Sequence, residues 1–403
     1  MEDKKRGLTK RDFLKIGALG VTGIAGLSNP RSASSAAQEK KDAGTSEASN
    51  KIDVHGHFHP PEFFKEMENR VGRSKDMLGW KQLDMEKDTF MQAFPIEKRL
   101  DWMSKFGIEI SVFSFPTINV FMDERAAPKK RNDMSQFMND FFAKTHQKYS
   151  KRTLFFADVP LGTDPDFSTK ELNRAVTQLG LHGAAIQTNN AGKLPHEPEF
   201  NEFFSEAERL DVPIFMHPSD SPWFKYAYSG LKKYMLESTV GFPADATIAI
   251  AYMIMDGFFE RHKKSKIILT HLGSTAPYLY ERLSQRIKNP YVPPKVSGKA
   301  NMTKMPLEYL QMFYYDTAGS TPEALVLCES ILDENKILFG TDHPFLDNAE
   351  RGTIARLGGF AGVASRKSLQ IKPSVQKVFT TRSYLVTSSL LSCGVVAGWG
   401  RTA

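Results

Sequence analysis

Between Lys51 and Phe345 the chain alternates short apolar, β-rich runs with longer stretches of helical periodicity, and it does so eight times. The runs Ile52–Phe58, Ile110–Pro116, Thr153–Pro160, Gly183–Thr188, Pro213–Pro218, Lys266–His271, Phe313–Gly319 and Ile337–Pro344 have the near-continuous apolar character of strands buried on both faces of a parallel sheet. Helical patterns fall between them at Glu97–Lys105, Met134–Tyr149, Lys170–Leu179, Glu199–Leu210, Thr247–Lys263 and Ala276–Ile287, and Pro322–Asp333 precedes the last strand. Eight such units in roughly 300 residues predict an α/β chain folded as a (β/α)8 barrel, which usually takes about 250 residues. A doubly wound open sheet is the competing arrangement, but no glycine-rich phosphate turn follows the first strand.

The ends of these strands carry side chains suited to metal binding. The first ends in Asp53-Val-His-Gly-His57, the fifth in Met216-His-Pro218, the sixth in Thr270-His-Leu272 and the eighth in Gly340-Thr-Asp-His-Pro344. Residues two apart on a strand share a face, so His55 and His57 can both look toward the barrel axis. Ten histidines in the chain would give about 0.25 His-x-His pairs by chance, so the pair alone says little. The joint placement says more, because a barrel gathers the carboxyl ends of all its strands around one mouth.

These motifs resemble the amidohydrolase-related family, in its aminocarboxymuconate semialdehyde decarboxylase-like branch. The residues that carry the resemblance are Lys51-Ile-Asp-Val-His-Gly-His57, Ala207-Glu-Arg-Leu210, Phe215-Met-His-Pro218, Gly241-Phe-Pro-Ala-Asp-Ala-Thr-Ile-Ala249, Ile267-Ile-Leu-Thr-His-Leu-Gly273, Phe313-Tyr-Tyr-Asp-Thr317 and Ile337-Leu-Phe-Gly-Thr-Asp-His-Pro-Phe345, in order from 51 to about 346. The resemblance implies that His55, His57, His217 and Asp342 ligate one divalent ion, zinc first and manganese second. Many two-metal relatives place a bridging lysine on the fourth strand, where this chain has Gln187-Thr188, and a single ion is expected. Three imidazoles and a carboxylate leave a coordination position for water, whose pKa falls toward about 7. His271 is expected to act as general base on that water and to shuttle the proton, its reference pKa near 6.5 suiting the task; the alternative is a fifth ligand.

Catalysis is thus assigned to His271 and Asp342. Arg282, on the helix after His271, has a family counterpart that grips substrate carboxylate across a dimer interface, as a guanidinium fork suits; the plainer reading is a solvated helix arginine. His343 and Phe345 are expected to line the pocket, and His59 to cap the first loop. Ser219 stands where the family carries Trp, and a second substrate arginine has no match, so the muconate semialdehyde itself is not the expected substrate. His146, His182, His196 and His262 lie away from the strand ends and read as structural or exposed.

The leading function is therefore a metal-dependent carboxy-lyase for a small aromatic or unsaturated carboxylate, using a metal-bound water and a histidine base, in a homodimer. Alternatives are a hydrolase of a lactone or cyclic amide on the same fold, or a non-catalytic binding protein.

Charge excludes another class. The formal charge is +7, but residues 1–50 contribute +3 and residues 351–403 contribute +8, which leaves −4 for 51–350. The body lacks the basic footprint of a nucleic-acid binder. Cys328 and Cys393 are the only cysteines, too few for a disulfide framework or a thiolate metal site.

Residues 1–37 resemble a twin-arginine export signal, with Lys10-Arg11 at the pair, an apolar run from Ile16 to Leu27 and small residues at Ala33–Ala37. The run is shorter than the roughly 20 residues a membrane span needs, so the mature chain is expected to be exported to the periplasm or medium with no stable span. Without a functional signal it would stay cytoplasmic. Residues 38–50 read as a linker and 51–350 as the barrel. Residues 351–403, with eight Lys/Arg and no acid, read as either a divergent C-terminus or coding in a shifted frame, the second being preferred. On that reading the scaffold is weakened, and cooperative melting above about 45 °C would count against it.

Overall fold

The computed structural model describes residues 51–58, 95–115, 128–190, 192–219, 234, 236–288, 291 and 301–346, all within the unit Ala48–Ala403. The export signal, the linker, His59, Cys393 and the 351–403 tail lie outside the described residues.

Nine short parallel strands are described: β1 (Lys51–His57), β2 (Ile108–Ser114), β3 (Thr153–Phe155), β4 (Ala157–Asp158), β5 (Ala184–Gln187), β6 (Pro213–His217), β7 (Lys266–Leu269), β8 (Tyr314–Asp316) and β9 (Ile337–Leu338). They pair in sequence order, β1-β2-β3 and β4-β5-β6-β7-β8-β9. β3 and β4 are one passage of chain. Phe156 N donates to Phe113 O of β2 at 2.9 Å, and the next amide, Ala157 N, donates to Gly183 O ahead of β5 at 2.8 Å. The ring closes where Val54 N donates to Phe339 O at 2.9 Å, Asp342 N to His55 O at 2.8 Å and His57 N to His343 O at 3.0 Å. Eight strand passages thus form a closed parallel barrel, as the alternation predicted. The last strand is shorter than expected: after Leu338 the chain leaves the ladder and meets β1 through separate backbone bonds, an isolated bridge between Gly56 and His343, and bonds from Thr341 to Asp53.

Strand alternation sorts the apolar residues into two cores. Ile52, Val54, Val112, Leu154, Phe156, Ala185, Phe215, Ile268 and Leu338 fill the barrel interior. Their neighbours face out, Phe155, Ala157, Ile186, Ile214, Met216 and Ile267 among them, and pack against Met138, Phe142, Leu172, Phe203, Ile250 and Met253 of the helices.

The helical layer comprises α1 (Ile96–Lys105), α2 (Pro128–Tyr149), α3 (Pro165–Thr177), α4 (Asn201–Leu210), α5 (Phe242–Met255), α6 (Phe258–Arg261), α7 (Tyr280–Lys288), α8 (Pro306–Leu310) and α9 (Pro322–Ile331). Local chemistry starts several of them. Asp164 caps α3 by accepting from Phe167 N at 3.0 Å, Thr321 caps α9 by accepting from Ala324 N at 3.3 Å, and each cap precedes a proline at the first helical position. α2 begins at Pro128, six residues before the predicted start, and α7 begins at Tyr280, four after it. By length and composition one helix among the described residues, Glu237–Met255, could cross a membrane. Here it buries Ala246, Ala249, Ile250, Met253 and Ile254 within the fold.

Candidate metal centre

His55, His57, His217 and Asp342 come together at the mouth of the barrel, each offering one ligand atom, with all four atoms within 4.8 Å of one another. All four residues are buried. His55 and His57 face the centre from the end of β1, where the register with β2 shifts between Asp53 and Gly56. His217 arrives from the end of β6, and Asp342 from the turn after β9 in a left-handed conformation, φ 57°.

The hydrogen bonds around the rings decide which nitrogen each presents. His55 Nδ1 lies 2.8 Å from Asp316 Oδ2 and His217 Nδ1 lies 2.7 Å from Pro218 O. Both partners accept, so both Nδ1 atoms carry a proton and both Nε2 atoms are the ones directed inward. His57 Nε2 sits 3.0 Å from His55 Nε2 and 2.7 Å from Asp342 Oδ1, while Ser114 Oγ stands 3.4 Å behind its Nδ1. His55 Nε2 is 3.3 Å from the same Asp342 oxygen. Three imidazole nitrogens and one carboxylate oxygen directed at one small volume form a donor set for a single divalent cation.

Electrostatics fit the same occupant. Burial opposes charge on His55, but Asp316 and Asp342 outweigh it and push its pKa up to about 10. Burial lowers His57 to about 4 and, with His57, His55 and His271 around it, holds His217 well below its usual value. Burial would raise Asp342, yet His55 and His57 keep it well below the ordinary carboxylate range. His57 and His217 are thus held neutral beside an ionised Asp342, the protonation state in which such residues ligate metals, and at His55 a bound cation would take the place of the proton that the two carboxylates favour.

His271 follows β7, half-buried, with its ring centroid 5.2 Å from that of His55 and 5.8 Å from that of His217. Its Nδ1 lies 3.3 Å from Ala318 O, which leaves Nε2 as the atom able to exchange a proton. His271, Leu272 and Ser274 all have positive φ, 54°, 53° and 58°. Such conformations are uncommon outside glycine and cluster at functional sites.

The strand-end motifs pointed to these residues, but Asp316 received no role from sequence. Its Oδ2 takes His55 Nδ1, and its Oδ1 accepts from His271 N and Ala318 N, both at 2.9 Å. One carboxylate therefore aims a histidine of the cluster and anchors the backbone of the candidate base. The only signal was its place in Phe313-Tyr-Tyr-Asp-Thr317 at a strand end. Gly340 explains how the strands close so tightly, because a Cβ there would lie 2.9 Å from both His55 Cβ and Asp316 Cβ.

Phe345 covers the cluster, its ring 5.1 Å from His57. His343 is buried and stacks on Trp102 of α1 at 3.9 Å. Arg282 is exposed on α7. Among the other histidines, His146 Nδ1 lies 2.7 Å from Thr153 O, His262 Nε2 lies 3.0 Å from Asn201 Oδ1 and His196 stacks on Tyr252.

Known proteins resemble this chain to different degrees. Over 309 residues the chain is 27% identical to a 2-amino-3-carboxymuconate-6-semialdehyde decarboxylase of Dictyostelium discoideum, covering 73% of this chain and 82% of that one. Over 299 residues it is 28% identical to a gamma-resorcylate decarboxylase of a Rhizobium species, covering 72% and 82%. The fold matches the crystal structure of a 5-carboxyvanillate decarboxylase from Novosphingobium aromaticivorans, complexed with manganese and 4-hydroxy-3-methoxy-5-nitrobenzoic acid, with a TM-score of 0.69 and 20% identity over 84% of this chain and 98% of that one. The amidohydrolase family profile spans residues 52–363, past the point near 346 where the sequence motifs end, and the chain belongs to that family.

Proposed function

We propose that this chain is a metal-dependent decarboxylase of small aromatic carboxylates. The observation that carries the reading is the convergence of His55, His57, His217 and Asp342, with His271 beside them at the barrel mouth. The name of the gamma-resorcylate decarboxylase relative supplies the aromatic substrate class, while that of the aminocarboxymuconate semialdehyde decarboxylase points to an open-chain unsaturated carboxylate as the neighbouring choice. When bound, a divalent ion in this set supplies a Lewis acid that attracts and polarises substrate oxygens. The three imidazoles favour zinc; the manganese in the carboxyvanillate relative is the competing choice, and elemental analysis of purified protein distinguishes them.

The chain's own groups do the rest. Phe345 and the aromatic floor at Phe215, whose ring lies 4.9 Å from His55, hold the ring and exclude water. As the carbon–carboxylate bond breaks, its electron pair stays on the ring carbon and carbon dioxide leaves. His271 Nε2 delivers the proton that replaces the carboxylate. A homodimer would let Arg282 serve a partner's site. Exposed apolar side chains on and beside the same outer helices, Val240, Ile248, Tyr252, Tyr278 and Ile287, support that assembly, and sedimentation velocity tests it. Export through residues 1–37 rests on the Lys10-Arg11 segment and is tested by fractionating cells that express the full chain.

Carbon dioxide release from hydroxybenzoates by the metal-loaded protein is the direct test. His271→Asn should lower kcat by roughly 10²–10⁴-fold while the bound metal stays at the wild-type level. A ring-opened product from a lactone, with no carbon dioxide, would replace the reading by hydrolysis. An unchanged rate in His271→Asn would remove that residue as the proton donor.

A further inference from the structure

The passage Leu154–Asp158 places an acid where the metal centre does not use it. Leu154 and Phe156 belong to the barrel interior, while Phe155, Ala157 and Val159 belong to the outer core. Asp158 therefore falls on the interior side. The ladder agrees: Asp158 pairs with Ala185 and Ala185 with Phe215, both interior residues, and partners in a parallel ladder share a face. Asp158 stands one layer nearer the mouth than Phe156, which stacks on Phe215 at 5.2 Å. Phe215 in turn touches His55. The acid thus rises from the wall formed by β2 to β5, above the aromatic floor on which the metal centre rests.

Its backbone is fully engaged and one oxygen of its side chain is not. Asp158 N donates to Asn139 Oδ1 at 2.8 Å, and Asp158 O accepts from Ser135 Oγ at 2.6 Å and Asn139 Nδ2 at 3.0 Å. Three bonds from α2 hold the residue in place. Yet Asp158 is 5% exposed, and its Oδ2 is buried with no hydrogen-bond partner among the described residues. Burial, with Glu171 of α3 behind the strand, pushes its pKa up to about 7; Glu171 itself is held by Arg174 and Asn139. A buried carboxyl group without a partner is costly, and native proteins keep few of them. Near neutral pH this one can both donate and accept.

We propose that Asp158 is a specificity-determining residue that hydrogen-bonds a hydroxyl or amino substituent of the aromatic ring, on the side away from the carboxylate that is lost. This rests on the aromatic decarboxylase reading above. It makes the β2–β5 wall the part of the mouth that reads ring substitution, while the metal centre and His271 handle the carboxylate.

The test uses the metal-loaded full chain and its Asp158→Leu and Asp158→Asn variants. Carbon dioxide release is measured with 2-hydroxybenzoate and with the 2,3-, 2,4-, 2,5- and 2,6-dihydroxybenzoates. Wild type should prefer one dihydroxy acid over 2-hydroxybenzoate. That kcat/KM ratio should fall about tenfold in Asp158→Leu, as for one lost hydrogen bond, and less in Asp158→Asn, with bound metal unchanged. Both variants should melt at higher temperature than wild type, because an unpartnered buried acid has been removed. An unchanged ratio in both variants, or a lower melting point in both, overturns the proposal and leaves the decarboxylase reading standing. No carbon dioxide from any of the five acids with metal-loaded wild type overturns the decarboxylase reading, and this proposal with it.

Discussion

At the scale of single residues, the arrangement turns on Asp316. A metal-ligating histidine needs its distal nitrogen held, and partners that do this commonly change metal affinity by 10–100-fold when removed. Asp316 does so for His55 through Oδ2 and, through Oδ1, holds the main chain of His271. Asp316→Asn keeps the shape but offers only one accepting oxygen, so one of these two contacts must weaken. We expect metal affinity to fall by about 10–100-fold, measured by competition with a chromophoric chelator, together with a drop in kcat that excess metal does not restore. Recovery of full kcat at saturating metal would confine Asp316 to orienting His55.

At the scale of elements, each strand of the barrel is short, and helices and connecting turns supply much of the order around it. α2 illustrates this through His146, whose ring meets that of His182 edge-on at 4.8 Å. His182 lies on the turn before β5 and accepts from Phe155 N at 3.3 Å. Burial, with His146 adding to it, lowers the His182 pKa to about 3. Below the unfolded value of about 6.5 the unfolded chain takes up a proton that the folded chain refuses until about pH 3, so stability falls as pH drops through that window. His182→Gln removes this linkage. Denaturant midpoints should decline less steeply from pH 7 to 5 in the variant, by at most about 1.4 kcal/mol per pH unit. Parallel declines in both proteins would show that this histidine is not held neutral.

At the scale of the whole molecule, the candidate ligands span His55 to Asp342, and only the closed barrel brings them within reach of one another. A cation bound there acts on the folded state and not on the unfolded chain. Metal at about a hundredfold over its Kd should add about 2.7 kcal/mol of stability, and chelation should lower Tm by several degrees. The same chelation of a His55→Ala/His57→Ala variant should leave Tm unchanged; a drop of equal size there would place the bound ion elsewhere.

The alternation of short apolar runs with helical stretches was enough to predict the barrel, because strands buried on both faces are apolar throughout and leave a periodicity that survives without tertiary knowledge. His55, His57, His217, His271 and Asp342 were legible for a related reason: each follows or ends an apolar run, and a parallel barrel brings such positions to one rim. Asp316 and Asp158 were not legible. An aspartate after an apolar run looks the same whether it caps a turn, steadies a histidine or faces a substrate. Their roles depend on which strands neighbour them and on which side of the strand they emerge. Asp316 reaches His55 because the ring closes from β9 onto β1 with only Gly340 between, and Asp158 falls on the interior face because its strand pairs Asp158 with Ala185, and Ala185 with Phe215. The sequence alone determined which side chains stand at the strand ends, since that is local patterning. Only the closed barrel decided which of them meet, since strand order and register join runs tens of positions apart and closure joins residues nearly three hundred positions apart, from Val54 to Phe339.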